Sequence, residues 1–255
     1  MIKIAIANNK GGVGKTPVTQ LLGTALSSRG YQVALMDLDG QANLTDALVG
    51  SARGRRPQPN IGHVLDQTHT LLDVPRVAIT PGGAIWLFTS DENLDDVADD
   101  LVTKPLGVLR LRSALEQDDL AQLNQTSGMD FLLIDCPPNL SALTYSALIA
   151  ADYVLIPTKP EEWAIKGVDR VLDKLQEIQA QLGRSPVCLG VVATMVQERI
   201  EHQKNLTALG HMGHRVKLLG QTPLRNGQDA SEKLFTAYNE IAGALLGQLG
   251  MRAER

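Results

Sequence analysis

The octapeptide Asn9-Lys10-Gly11-Gly12-Val13-Gly14-Lys15-Thr16 constrains the fold more than any other stretch of this chain. It follows a short β-rich apolar run, Ile2-Lys3-Ile4-Ala5-Ile6-Ala7. It precedes residues 17–29, where Val18, Leu21, Leu22, Ala25 and Leu26 recur at helical spacing. The tail Gly14-Lys15-Thr16 has the spacing of a phosphate-binding P-loop, with Asn9 in place of the usual first glycine. Glycines let the backbone curl until successive N–H groups face one anion, and a helix N-terminus adds a favourable dipole. On this reading Lys15 reaches the β- and γ-phosphates of a nucleotide and the Thr16 hydroxyl ligates Mg²⁺. Strand before and helix after disfavour a mere glycine-rich turn.

The flanking pattern predicts the architecture. Gly30 ends the first helix, and residues 31–36 form the next strand, so strand, helix and strand make a right-handed βαβ unit. Residues 131–134 are a continuous apolar run, as expected of a strand buried on both faces of a parallel sheet. Residues 140–151 read as helix, 153–156 as strand, 163–182 as a long amphipathic helix, 187–194 as strand and 231–249 as a terminal helix. The expectation is a doubly wound α/β fold with a mostly parallel sheet flanked by helices, forming a single domain over residues 1–255. Residues 51–128 are less regular, and Arg53-Gly54-Arg55-Arg56-Pro57-Gln58-Pro59 reads as an exposed, solvated loop.

Composition limits the function classes. With 44% hydrophobic and 20% charged residues, the 255-residue chain is long and apolar enough for a core without staples. Two cysteines, Cys136 and Cys188, exclude a disulfide scaffold, a four-cysteine zinc site and an iron–sulfur cluster held by this chain alone. There is no apolar run of membrane-spanning length and no room for a signal peptide ahead of Ile2, so a cytoplasmic protein is expected. The net charge of −4 hides an asymmetry: residues 196–255 carry eight Lys/Arg against six Asp/Glu.

Two acidic segments fall where a phosphate site needs them. Asp37-Leu38-Asp39-Gly40-Gln41 follows the second strand, and Asp135-Cys136-Pro137-Pro138 follows the run at 131–134. In a parallel sheet the carboxyl ends of the strands gather on the ligand-binding edge. Asp135 therefore has the position of a Walker B carboxylate that holds Mg²⁺ through water, and Asp37 and Asp39 lie near the metal and the γ-phosphate.

These residues carry a family resemblance. Lys10-Gly-Gly-Val-Gly-Lys-Thr16 resembles the deviant Walker A motif of the ParA/MinD branch of P-loop ATPases. Asp37-Leu-Asp-Gly-Gln-Ala-Asn43 is similar to the switch I of that family, usually written DxDPQxN. Asp135-Cys-Pro-Pro138, with Leu143-Thr-Tyr-Ser-Ala-Leu148 and Ala151-Asp-Tyr-Val-Leu-Ile-Pro157, looks like the Walker B region of ParA and the segment after it. The match implies a ParA-type partition ATPase that binds ATP and Mg²⁺ through Lys10, Gly11, Gly12, Val13, Gly14, Lys15, Thr16 and Pro17, with Asp37 and Asp135 beside the metal. It implies a nucleotide-sandwich homodimer in which Lys10 contacts the phosphates held by the other subunit. Asp39 matches the aspartate that positions the attacking water, and basal turnover is expected to be slow.

The resemblance also implies non-specific DNA binding in the ATP state, release on hydrolysis stimulated by a ParB-like centromere-binding protein, and residence on the nucleoid. Arg199 and Arg225 match arginines of the DNA-binding segments, while Gln228 falls where a further arginine is usual; Lys204, Arg215, Lys217 and Lys233 are further candidates. No separate N-terminal DNA-reading domain is expected. Two departures stand out: Pro17 replaces the usual second Thr, and Gly40 replaces the switch I proline.

Other readings are weaker. Cys136 is expected to be a packed small hydrophobe, and the histidines at 202, 211 and 214 lack metal-binding spacing. A MinD-like membrane ATPase needs a basic amphipathic tail, whereas the stripe Ile241, Leu245, Leu246 and Leu249 reads as core. An iron-protein-like reductase lacks its cluster cysteines, and a metabolite ligase or kinase has no use for Lys10. A protein cargo in place of DNA remains an alternative within the family.

Overall fold

The computed structural model describes residues 1–50, 56–80, 84–116, 128–212, 215–224 and 230–254. Five strands carry the centre of one sheet: β1 (Ile2–Ile6), β2 (Val33–Asp37), β5 (Phe131–Asp135), β6 (Tyr153–Thr158) and β7 (Val187–Val196). Two more, β3 (Val77–Ala78) and β4 (Ile85–Phe88), extend one edge, and β8 (Leu218–Pro223) extends the other. Among the described residues the order is β3-β4-β2-β5-β1-β6-β7-β8, with every pairing parallel except β3 with β4. This is the doubly wound, mostly parallel arrangement that the sequence predicts.

Strand alternation divides the interior into two cores. Ile4, Ile6, Leu35, Leu133 and Leu155 point to one face, where α1 (Lys15–Ser27) and α9 (Ala230–Gln248) cover them with Val18, Leu22, Leu26, Ile241, Leu245 and Leu246. Ala5, Met36, Ile134, Val154 and Ile156 point to the other. They meet α3 (Ile61–Leu65), α4 (Asn93–Thr103), α5 (Arg110–Glu116), α6 (Ala142–Ala150) and α7 (Ala164–Leu182). All residues of β2 and β5 are buried, as helices on both faces require. The terminal stripe Ile241, Leu245 and Leu246 is wholly core, and Tyr31 Oη holds the following backbone by donating to Arg252 O at 2.7 Å. No helix among the described residues is long and apolar enough to cross a membrane.

Local turns depart slightly from expectation. α1 begins at Lys15 rather than at Pro17, because Gly14 in the left-handed region at φ 85° turns the chain into the helix. It ends at Ser27, and Gly30 at φ 87° reverses the chain three residues later.

The described residues of the segment 51–128 contain more order than its irregular composition implies. Ile85-Trp86-Leu87-Phe88 forms β4 because it pairs along β2 from Val33 to Met36, a partner that no local pattern reveals. Arg56 corrects the solvated-loop reading, whereas Arg53 and Arg55 lie outside the described residues. The Arg56 guanidinium is largely buried, forks onto both oxygens of Asp46 at 2.9 and 3.0 Å, and reaches Glu92 Oε2 at 2.9 Å. It thereby ties α2 (Asn43–Val49) to the entrance of α4. Short-range pattern marks it as loop; long-range carboxylates bury it. Replacing Arg56 by Ala strands Asp46 and should lower the unfolding free energy by about 1–3 kcal/mol, read as a lower urea midpoint at unchanged slope.

Candidate functional site

β1 passes directly into the glycine-rich loop. Gly12 and Gly14 adopt φ 69° and 85°, conformations that a side chain would strain, so the sequence needs glycine at both. The loop is fastened from several sides. Thr194 Oγ1, at the end of β7, donates to Val13 O at 2.7 Å. Asn8 is buried; its Nδ2 donates to Pro157 O at 2.7 Å and its Oδ1 accepts from Lys10 N at 3.1 Å. Pro17 is the third residue of α1, where its missing N–H would have no helical partner, and the first α-helical bond runs from Val18 N to Gly14 O at 2.9 Å.

Three carboxylates stand beside this loop because of sheet register. Ile6, Asp135 and Asp37 lie level on the adjacent strands β1, β5 and β2. Asp37 and Asp135 are buried, and Asp39 is nearly so. Asp37 Oδ2 accepts from Thr45 N at 2.8 Å and Thr45 Oγ1 at 2.7 Å, while its Oδ1 accepts from Asp39 N at 3.2 Å. Both of its oxygens thus shape the acidic loop. Asp39 Oδ1 accepts from Gln41 N at 3.0 Å, and the Asp39 carbonyl accepts from Ser90 Oγ at 2.7 Å. Asp135 Oδ1 accepts from Thr19 Oγ1 at 3.3 Å, but its buried Oδ2 has no hydrogen-bond partner.

Burial and crowding set the charge state. Burial, then the charge of Asp37, pushes Asp135 up to about 8, against opposing pulls from the Thr16 hydroxyl and Lys15. Burial also raises Asp37, to about 6, and hydrogen bonds from Thr45 and Asp39 oppose that. Burial lowers Lys15 from the ordinary lysine range, while Cys136, Asp135 and Asp39 oppose the shift. Lys15 Nζ donates to Lys10 O at 3.1 Å. Cys136 is buried, and burial drives its thiol far above the usual range, as befits a packed apolar side chain.

Among the described residues no group of three or more His, Cys, Asp or Glu side chains is arranged to hold a metal ion by itself. The orphaned Asp135 oxygen and the neighbouring Thr16 hydroxyl do fit a cation of the Mg²⁺ kind, which takes one or two protein oxygens and completes its shell with phosphate and water. Beside the loop lies a cleft of about 500 Å³, bordered by Pro17, Leu21, Met195, Pro223, Leu224 and Leu234.

Of the predicted cationic residues, Arg199 is exposed at the start of α8 (Ile200–His211), against an open groove that Lys204 also borders. Arg215 is already engaged by Asp169 and, at 3.9 Å, by Asp173. Lys217 and Lys233 are exposed. Arg225, Gln228 and His214 lie outside the described residues. Sequence reasoning missed Asn8, Thr45, Thr194, Asp95 and Glu161. A buried polar residue ending an apolar strand, as Asn8 does, is the signal that could have revealed one of them.

Asp95 explains Gly40. A Cβ at position 40 would sit 2.3 Å from Asp95 Oδ1, so the carboxylate of α4 occupies the place of a side chain there.

The family described as "AAA domain" matches residues 1–185. The "Chromosome partitioning protein ParA" of Caulobacter vibrioides is 33% identical over 215 residues, covering 84% of this chain and 77% of that protein. The "Chromosome-partitioning ATPase Soj" of Thermus thermophilus is 33% identical over 216 residues, covering 84% and 78%. Among solved structures, a Mycobacterium smegmatis protein described as cobyrinic acid a,c-diamide synthase, with a bound ATP analogue and magnesium, superposes at a TM-score of 0.80. It is 28% identical and covers 98% of this chain and 96% of that one.

The geometry has two measurable consequences. Because Asp135 is raised when folded, its protonated form favours the fold: the contribution is full below about pH 4 and is lost as pH rises towards 8. Without nucleotide, Asp135→Asn should therefore match wild type in thermal stability near pH 4 and exceed it increasingly towards pH 8. Gly40→Ala should cost under about 1 kcal/mol, and an added Asp95→Ala should remove most of that cost in a double-mutant cycle of urea midpoints.

Proposed function

The chain belongs to the ParA/Soj family of partition ATPases, and from that premise we propose that it is a DNA-partition ATPase cycling between a monomer and an ATP-bound dimer. It hydrolyses ATP, with Mg²⁺ as the cofactor. The observation that carries the site assignment is the level placement of Asp37 and Asp135 beside the left-handed glycine turn, with one carboxylate oxygen left unpaired.

The residues act as follows in this reading. The N–H groups of Gly11, Gly12, Val13, Gly14, Lys15 and Thr16 cradle the phosphates at the N-terminus of α1. Lys15 exchanges the Lys10 carbonyl for a phosphate oxygen; its burial makes the charge more effective there. Thr16, Asp135 and, beside them, Asp37 would hold Mg²⁺, which would supply charge neutralisation for the transferring phosphoryl group. Once a cation and phosphates arrive, the ionised form of Asp135 is favoured, reversing the apo preference for its protonated form. Asp39, held by Gln41 N and one loop residue from Gly40, orients the attacking water. The nucleobase enters the cleft at Pro17, Met195 and Leu224.

Lys10 reaches the triphosphate of the second subunit. Dimerisation then joins two weak cationic patches that include Arg199, and Arg225 where the family pattern places it, into one DNA-binding surface. A ParB-like partner accelerates turnover and ends the bound state, keeping the protein on the nucleoid only while ATP is intact.

Duplex DNA retention tests this sequence of events. With no nucleotide, ADP, ATP or a slowly hydrolysed analogue, wild type should be retained only with the last two, and Lys10→Ala in none. Arg199→Ala should weaken retention across all DNA sequences and flatten the salt slope by about 1 for each phosphate the protein ceases to neutralise. If ATP drives dimerisation while DNA is ignored in every state, the DNA track is wrong.

A further inference from the structure

Lys10 is not free. Its Nζ lies 2.8 Å from Glu161 Oε2, and the other oxygen of that carboxylate lies 3.0 Å from Lys159 Nζ. Hydrogen bonds first from Lys10 and then from Lys159 hold the Glu161 carboxyl down at about 2, so it is ionised throughout the working pH range. Both members of the Lys10–Glu161 pair are partly exposed, with side chains 43% and 37% accessible, so incoming charge can compete for either.

The carboxylate is also well placed by its backbone. Glu161 sits in the turn between β6 and α7, and the chain entering that turn is fastened at two points. Asn8 Nδ2 binds Pro157 O at 2.7 Å, and Asn205 Nδ2 on α8 binds Pro160 O at 3.0 Å. Asn8 in turn accepts from the backbone of Lys10 itself. The loop bearing the cation and the turn bearing the anion thus share one buried amide, and the pair forms with little further ordering.

We propose that Glu161 is a positioning residue that restrains Lys10 in cis, and that a nucleotide triphosphate on a second copy of the chain must outcompete it before the dimer closes. The proposal rests on the reading of Lys10 as a cross-subunit cation and deepens it by naming the group that withholds that cation in the monomer. Lys159 makes the exchange possible. When Lys10 leaves, Glu161 keeps a partner, so release strands no carboxylate. A triphosphate offers more negative charge than one shared carboxylate, whereas a diphosphate lacks the terminal group that Lys10 would meet.

The effect on assembly follows from population arithmetic. Apparent affinity falls by the fraction of subunits whose Lys10 is free. A partly exposed pair of this kind corresponds to a factor of roughly two to five. Two lysines are released per dimer, so the restraint enters twice, giving a factor of roughly four to twenty-five.

Sedimentation of the full chain, titrated with a slowly hydrolysed ATP analogue and Mg²⁺, tests the restraint. Because two nucleotides enter each dimer, Glu161→Gln should dimerise at a nucleotide concentration roughly two- to fivefold below wild type. Lys159→Ala should shift the midpoint the opposite way, because Glu161 then holds Lys10 alone. A general loss of loop structure would move both variants in the same direction, and that result would overturn the proposal. So would a Glu161→Gln midpoint equal to or above that of wild type. Lys10→Ala tests the premise separately. If it dimerises as readily as wild type, Lys10 is not the cross-subunit cation, whatever Glu161 does. A wild type that stays monomeric with the analogue overturns both readings.

Discussion

Two carboxylates end neighbouring strands of a dry parallel sheet, and most of the surrounding structure answers to the electrostatic cost of that arrangement. Asp37 and Asp135 face each other in register at the carboxyl ends of β2 and β5. Neither can share its charge with bulk water, so the apo chain favours protonation at Asp135 and commits polar groups to Asp37. Thr45 supplies two donors, the Asp39 amide a third, and the nearly buried Lys15 a compensating cation. The oxygen left over, Asp135 Oδ2, is where bound cation chemistry would find its partner.

The same arrangement explains why supporting contacts extend far from the loop. Thr45 can serve Asp37 only if α2 is held, and Arg56 holds it through a fork onto Asp46. Glu92, also on Arg56, leads into α4, whose Asp95 lies against Gly40. The acidic loop is therefore braced on one side by an ion pair and on the other by a carboxylate pressed on a glycine. On the opposite flank, Thr194 and Asn8 fix the glycine-rich turn to β7 and β6. The backbone of the glycine-rich loop is consequently held in place by several contacts, which is what the proposed phosphoryl-transfer role would require of it.

Much of this was legible in the residues. The glycine positions, Lys15, Thr16 and the strand-end aspartates follow from local rules: left-handed turns need glycine, helix N-termini attract anions, and parallel strands gather their carboxyl ends. The terminal stripe Ile241, Leu245 and Leu246 was readable as core from its spacing alone. β4 was not, because four apolar residues between polar loops suit several structures, and only pairing with β2 selects one. Arg56 misled because composition describes neighbours in sequence, whereas its partners lie 10 and 36 residues away.

The sequence by itself thus determined the glycine-rich turn between strand and helix, the alternation of strand and helix, and the acidic residues that accompany them. Each rests on short-range sterics or on a periodicity that a few residues express. Only the tertiary structure decided that Asp37 and Asp135 would be level, that Asp95 would fill the space beside Gly40, and that Glu161 would hold Lys10. Those depend on strand register and loop packing, where distances of a few ångströms between residues remote in the chain set the energy, and no local pattern encodes them.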